Sequence, residues 1–284
     1  MDIISELIKD NEFRDDYMDI IRKLHYSETE DQKARELLRN IILLKKGYSL
    51  EFQINNIKNK IERTDTLFIF GGGPGTDEFC NLHDGNPLIL QQTIKNSLVI
   101  AVDGALGILN DYNIQPEIIF TDLDGIQLNW VQKPDFANPI MIIHAHGDNM
   151  EKIKKFRQFV LNYPGIIGTT QSQTHLPIIN HGGFTDGDRT LYLIDNFLEN
   201  RHSVYLIGFE FGKIVGKHSK PYLKDNITAS ETKKQKLKFG RKFTEKICLH
   251  SDARFLFLEF SHPVKTKSTI IKIHNLDDLL DLFK

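Results

Sequence analysis

Two hydrophobic rhythms divide the chain. Residues 1 to about 63 carry only the helical period. DDYMDIIRKLHY sets Tyr17, Ile20, Ile21 and Leu24 on one face, and TEDQKARELLRNIILLKK keeps a stripe through Leu37, Leu38, Ile41 and Leu44. LEFQINNIKNKIER repeats it with Phe52, Ile54, Ile57 and Ile61, as amphipathic helices do. Thr29 is the capping residue expected ahead of the second helix. Such faces either pack against a main domain, the preferred reading, or offer the surface of a homodimer.

From Thr66 the period shortens. LFIF (67–70), LVIAV (98–102), EIIF (117–120), IMII (140–143), GIIG (165–168) and VYLIGF (204–209) alternate with helix-like stretches such as NPLILQQTIK, ALGILNDY, NMEKIKKFRQFVLNY and DRTLYLIDNFLEN. That alternation predicts an α/β fold, an open and mostly parallel sheet with helices on both faces, beside a small helical N-terminal region. The expected division is 1–63 for the helical region and 64–284 for the α/β catalytic domain. FLFLEF (255–260) and TIIKIHNL (269–276) are candidates for late strands.

The unusual clusters all follow strands: GGGPG after LFIF, DG after LVIAV, TDLDG after EIIF, HAHGDN after IMII, TTQSQ after GIIG and EFG after VYLIGF. In an open parallel sheet these positions share the carboxyl edge, where ligands bind at the topological switch point.

Composition removes several classes. A formal net charge of −2 exerts no global pull towards nucleic acid or membrane. The two cysteines, Cys80 and Cys248, lie far apart and outside any metal-ligand spacing, which fits a reducing compartment. MDIISELIKDNEF lacks the basic start and apolar run of a signal peptide, and no segment approaches the roughly 18 apolar residues of a spanning helix. The expected location is cytoplasmic.

Each motif has a chemical and a plainer use. GGGPG, with Gly71, Gly72 and Gly73, either lets backbone N–H groups approach a phosphate or makes a tight turn; it matches neither GxGxxG nor a Walker loop. In TDLDG, Asp122 and Asp124 stand two apart after a strand, where carboxylates hold Mg²⁺ together with phosphate oxygens; the plainer use is an Asx turn. HAHGDN sets His144, His146 and Asp148 on one strand face. It is similar to the HxHxDH stretch of metallo-β-lactamase-like hydrolases, with Asn149 in place of the last histidine; for the two histidines a hydrogen-bonded network is preferred. GGFTDGDRT opens a helix with Asp186, Asp188 and Arg189. N-capping accounts for one aspartate there, not for both. Asp103 with Gly104 either caps the next helix or accepts hydrogen bonds from a heterocycle or ribose. The run from Lys213 to Lys246 is mostly a solvated face, from which one or two cations could reach a polyphosphate.

Taken together, VDGAL–LGILNDYNIQPEIIFTDLDG, HAHGDN and GGFTDGDR resemble the archaeal-type 6-hydroxymethyl-7,8-dihydropterin pyrophosphokinases, distant relatives of thiamin pyrophosphokinases, whose DGG…PD…GDFDS pattern is similar to Asp103–Gly104 and Thr121–Gly125 here. The resemblance spans roughly residues 64 to 250 and includes the basic stretch KKQKLKFGRK. It implies a magnesium-dependent transferase that moves a diphosphate from ATP to the alcohol of a reduced pterin, releasing AMP, as in folate-type pterin biosynthesis. It further implies Mg²⁺ on Asp122, Asp124 and Asp188, with Asp148 a further candidate. Asp186 would assist the metal or accept the hydroxyl proton. Arg189 or Lys236 would offset phosphate charge, and Gly71–Gly73, Asp103 and Gly104 would lie against the nucleotide. Gln171, Asn180 and Asp148 are pterin-edge candidates by position. The competing expectations are a dinuclear metal hydrolase built on His144, His146 and Asp148, a related glycosyltransferase-like nucleotide-binding protein, and a non-catalytic nucleotide-binding module.

Overall fold

The protein is described by a computed structural model covering residues 2–82, 87–132 and 138–282. Four helices come first: α1 (Ile3–Leu7), α2 (Asp10–Leu24), α3 (Glu28–Leu43) and α4 (Leu50–Glu62). The α/β succession follows as β1 (Thr66–Phe70), α5 (Pro74–Asn81), α6 (Pro87–Thr93), β2 (Leu98–Val102), α7 (Ala105–Asp111), β3 (Ile118–Thr121), α8 (Leu128–Val131) and β4 (Ile140–Ala145). Next are α9 (Met150–Lys155), α10 (Arg157–Asn162), β5 (Ile166–Thr170), β6 (Ile178–Ile179), α11 (Asp186–Ile194) and β7 (Ser203–Ile207). The chain ends with β8 (Ile214–Val215), β9 (Ile227–Thr228), α12 (Glu231–His250), β10 (Arg254–Glu259), β11 (Thr269–Lys272) and α13 (Leu276–Asp281).

Among the described residues, nine strands form one sheet in the order β11-β10-β7-β1-β2-β3-β4-β5-β6, while β8 and β9 make a separate antiparallel ribbon. Every pairing in the large sheet is parallel. All six principal strand expectations are met, and both late candidates are strands. The sheet is apolar on both faces because alternate residues enter different cores. Phe68, Phe70, Val99 and Ala101 join one, and Leu67, Ile69, Leu98 and Ile100 join the other, the pattern of a doubly covered parallel sheet.

The N-terminal helices are built into both layers. Ala34, Leu38 and Ile42 of α3 lie in the first core, whereas Ile54, Ile57 and Ile61 of α4 lie in the second. Packing is therefore what their apolar faces do. Two details differ from the pattern-based expectation. The cap of α3 is Ser27, whose hydroxyl accepts from Glu30 N, so Thr29 lies inside the helix. Leu44 and Phe52, placed on apolar stripes, are 62% and 61% exposed; each sits at a helix terminus, beyond the contact the rest of its stripe makes. Among the described residues, no helix is long and apolar enough to cross a membrane.

Strand order reverses at β1. The chain runs outward from β1 to β6 on one side, then returns to place β7 on the other side of β1. The loops after β7, β1, β2 and β3 diverge from that point and leave a crevice at the carboxyl edge.

Candidate active site

A cleft of about 330 Å³ occupies this crevice. Its centre is acidic. Asp103 follows β2, Asp122 follows β3, and Asp186 is the first residue of α11. Together they offer carboxylate oxygens that all lie within 4.8 Å of one another.

Local bonding explains how each is held. Asp103 has a left-handed backbone (φ 48°), rare for a residue with a Cβ. Its N–H donates to Phe120 O across the sheet edge at 2.7 Å. Asp103 Oδ1 accepts from Thr121 Oγ1 (2.8 Å) and Gly125 N (3.1 Å). A Cβ on Gly125 would overlap that carboxylate, which accounts for the glycine ending TDLDG. Asp122 does make the Asx turn, accepting from Asp124 N at 2.9 Å with Oδ1, yet its Oδ2 remains in the cleft, 3.5 Å from His146 Nε2. Turn and ligand are thus compatible uses of one carboxylate.

The electrostatics are those of a site short of positive charge. Burial, then the neighbouring Asp122, pushes the Asp103 carboxyl up to about 6. Burial together with Asp122 and Asp103 drives Asp186 well above the usual carboxylate range. Burial acts on Asp122 in the same direction, but His146 and Lys220 outweigh it and hold that carboxyl below its ordinary value. Like charges this close cannot all ionise without a counter-ion. An all-oxygen ligand set with residual charge suits a hard divalent cation such as Mg²⁺.

A cationic rim faces the trio. Lys220 Nζ lies 3.7 Å from Asp103 Oδ2 and 3.7 Å from Asp124 Oδ2. Burial lowers its pKa, but the surrounding aspartates more than reverse this and raise it. Lys233, in the first turn of α12, is lowered by burial and by Lys220 and Lys236. All three lysines line the cleft.

The other expected site residues divide. Gly71, Gly72, Gly73, Asp103, Gly104, Asp124, Asp148 and Lys236 line the cleft with Asp122 and Asp186. Asp188 and Arg189 do not reach it. The Asp188 carboxylate accepts from Phe184 N (2.5 Å), Thr185 N (2.9 Å) and Thr185 Oγ1, closing a capping box on α11. Arg189 is buried behind the helix and donates to Gly183 O (3.2 Å) and Thr170 O (3.0 Å). Asp124 stands outside the trio, between Lys220 and Lys152.

The glycine turn also differs from a free phosphate cradle. Gly71 N donates to Ile207 O and Gly73 N to Gly208 O, while Gly75 N donates to Glu210 Oε1 at 2.8 Å. The amino end of α5 therefore already faces a carboxylate, and a Cβ on Gly73 would overlap it. Burial pushes Glu210 up to about 7.

His144 and His146 do form the network expected of them. Their rings stack at 5.6 Å, His144 Nδ1 meets Thr169 Oγ1 at 3.4 Å, and Asn149 Nδ2 donates to the carbonyls of Asp122 (2.8 Å) and His144 (2.7 Å). Among the described residues, His144, His146 and Asp148 do not converge as a ligand set; the one that does is Asp103, Asp122 and Asp186.

Comparison with known proteins agrees with this chemistry. The family described as 6-hydroxymethylpterin diphosphokinase MptE-like matches residues 37–215. The chain is 35% identical to the 6-hydroxymethyl-7,8-dihydropterin pyrophosphokinase of Pyrococcus furiosus over 89% of its own length and all of the relative. It is 32% identical to the protein of that name from Methanocaldococcus jannaschii over 79% of this chain and 90% of the relative. The chain belongs to the 6-hydroxymethylpterin diphosphokinase MptE-like family. A solved glycosyltransferase from Magnetospirillum magneticum, of the MAf type, aligns with a TM-score of 0.44 at 13% identity, over 78% of this chain and 37% of the other.

Within this MptE-like chain, sequence reasoning missed Glu210 as the partner of the glycine turn and did not single out Lys220 or Lys233 from the basic run. Nothing in the spacing of that run marks Lys220. It reaches the aspartates because the short helical turn before it closes over Gly104, whose missing side chain leaves room for His218 O. The family match begins within α3 and so includes half of the N-terminal helical region.

Proposed function

We propose that the chain is a magnesium-dependent diphosphotransferase, moving the β,γ-diphosphate of ATP to the hydroxymethyl oxygen of 6-hydroxymethyl-7,8-dihydropterin. The observation that carries this reading is the convergence of Asp103, Asp122 and Asp186 within 4.8 Å, faced by Lys220, Lys233 and Lys236. Carboxylates alone would repel a triphosphate, and lysines alone would bind it without fixing its geometry. Arranged face to face across a cleft, they suit a polyphosphate carried with its cation. Family membership narrows the acceptor to a pterin, since the relatives carry that activity in their names.

In the reaction the pterin hydroxyl oxygen bonds to the β-phosphorus, the bond from that phosphorus to the α-bridging oxygen breaks, and AMP leaves with the bonding pair. The hydroxyl proton passes to a base or to water. Mg²⁺ held by Asp103, Asp122 and Asp186 would supply charge neutralisation on the phosphate oxygens. The protein's own share is positional. Asp103 and Asp122 are pinned by turn bonds, Lys220 bridges Asp103 to Asp124, and Lys233 and Lys236 are placed to meet the outer phosphates. Free Cys80 and Cys248 accord with a cytoplasmic setting.

The test is AMP formation by the purified protein from ATP, Mg²⁺ and the reduced pterin, with chelation stopping turnover and Mg²⁺ restoring it. ADP as the product, or AMP formed at the same rate without pterin, would sink the reading.

A further inference from the structure

A second compartment opens off the cleft on the far side of the aspartates. It shares Asp122, His146, Thr185, Asp186, Lys233 and Lys236 with the main cleft, and adds Tyr26, His144, Gln171 and Phe184. Two chemistries meet there. Tyr26, from the junction of α2 and α3, and Phe184, from the loop before α11, bring their rings to 6.4 Å between centroids at 44°. Lys236 Nζ lies over the Tyr26 ring at 5.2 Å. His144 and Gln171 are buried, 5% and 4% exposed. Gln171 Nε2 donates to Asp31 Oδ2 at 2.8 Å, and Asp31 is itself held by Tyr17 OH (2.7 Å) and Gly147 N (2.7 Å). The Gln171 side chain also bonds the buried His144 imidazole. Burial and Arg189 keep the imidazole neutral.

We propose that this compartment binds the flat heterocycle of the acceptor, packed against Tyr26 with its amide edge towards Gln171, while the nucleotide takes the main cleft. The inference rests on the functional reading above and adds where each substrate lies. Aromatic faces and neutral hydrogen-bonding groups suit a pterin and not a phosphate. Reach assigns the two substrates to their sides. The acceptor hydroxyl must arrive directly at the aspartates, and Asp122 and Asp186 themselves line the side compartment. Adenosine must sit one phosphate further from the reacting phosphorus. The longer arm, lined by Gly71–Gly73, Phe209, Phe211 and Leu237, provides that distance. The N-terminal helices thereby acquire a role in substrate selection: Tyr26 stacks, and Asp31 is a positioning residue acting through Gln171.

The test uses the full-length protein with 6-hydroxymethylpterin as a fluorescent probe for equilibrium binding, alongside steady-state KM values for the reduced pterin and for ATP. Because a stacking face is lost, Tyr26→Ala should weaken pterin binding and raise the pterin KM roughly tenfold. The ATP KM should stay within about twofold, and Tyr26→Phe should restore binding because the stacking face is kept. Tyr26 is only partly buried, and an unchanged melting temperature checks that the variant folds. Should Tyr26→Ala raise the ATP KM instead, or leave the pterin affinity unchanged in an enzyme that makes AMP, the compartment assignment is overturned while the activity stands. Tyr26-dependent pterin binding in a protein that makes no AMP supports the compartment and overturns the activity.

Discussion

Two helices of this molecule begin in the same way, and only one of them carries the candidate chemistry. α5 and α11 each follow a glycine-rich loop, and each starts beside the cleft. At α5 the turn is closed from outside: Glu210 accepts from Gly75 N, and the Gly71 and Gly73 amides donate to the end of β7 and to Gly208 just after it. At α11 the turn closes on itself, with Asp188 accepting from Phe184 and Thr185. Asp186, two residues earlier, is left over with its carboxylate in the cleft. A helix amino end attracts anions only while its N–H groups are unfilled. Here both ends are filled, and the site is built from the carboxylate that capping did not need.

Breaking the contrast at α11 gives the largest effect. Asp186→Asn should lower kcat on the order of a thousandfold, the scale for removing a group that organises transition-state charge. Its melting temperature should hold or rise, because a buried charge beside two others is removed. Asp188→Asn should do the reverse, costing about 1–2 kcal/mol of stability through the damaged cap with turnover per folded molecule little changed. Thermal melts and single-turnover AMP assays on the pair decide the matter. Loss of turnover at unchanged stability in Asp188→Asn would return Asp188 to the metal site.

Lys220→Met comes next. It removes the cation nearest Asp103 and Asp124, so kcat/KM for ATP should fall roughly 10- to 100-fold, equivalent to about 1.4–2.7 kcal/mol. An ATP titration at saturating pterin measures it, and an unaffected value would remove Lys220 from the phosphate rim.

The smallest effect tests α5. Burial raises the Glu210 carboxyl to about 7, above its unfolded value, so the folded state binds the extra proton. That contribution to stability is complete below the unfolded pKa and is lost as pH rises through about 7. Wild-type protein in chelator should therefore melt at lower temperature as pH rises from about 5 to about 8. Glu210→Gln, which keeps an oxygen for Gly75 N, should flatten the decline. An identical slope in both proteins would show that Glu210 does not titrate there.

The fold was largely legible in the pattern. LFIF, LVIAV and IMII are too short for helices and too apolar for one-sided strands, which leaves a doubly covered parallel sheet. The β6 strand, two residues long, and the β8–β9 ribbon carried no such signal. The convergence of Asp122 and Asp186 at the cleft was legible from their positions after a strand and at a helix start. Asp103 was legible only as an even choice between a cap and a contact, because its role depends on Thr121 and Gly125 across a neighbouring loop. Asp188, expected as a ligand, is engaged as a cap instead, for the opposite reason. Its partners are three and four residues away, and a capping box and a metal motif look alike when both begin with acids near glycines.

By itself, then, the sequence determined the alternation of elements, the carboxyl edge as the place of the candidate site, and the phosphate character of its chemistry. Hydrophobic period and strand-end position are local properties, written in consecutive residues. Only the tertiary structure decided which aspartate of each pair joins the carboxylate cluster, which of many lysines reach the cleft, and that Tyr26 from the N-terminal helices lies across from Phe184. Those outcomes depend on which N–H groups are already satisfied and on distances between segments over a hundred residues apart, and no local spacing records either.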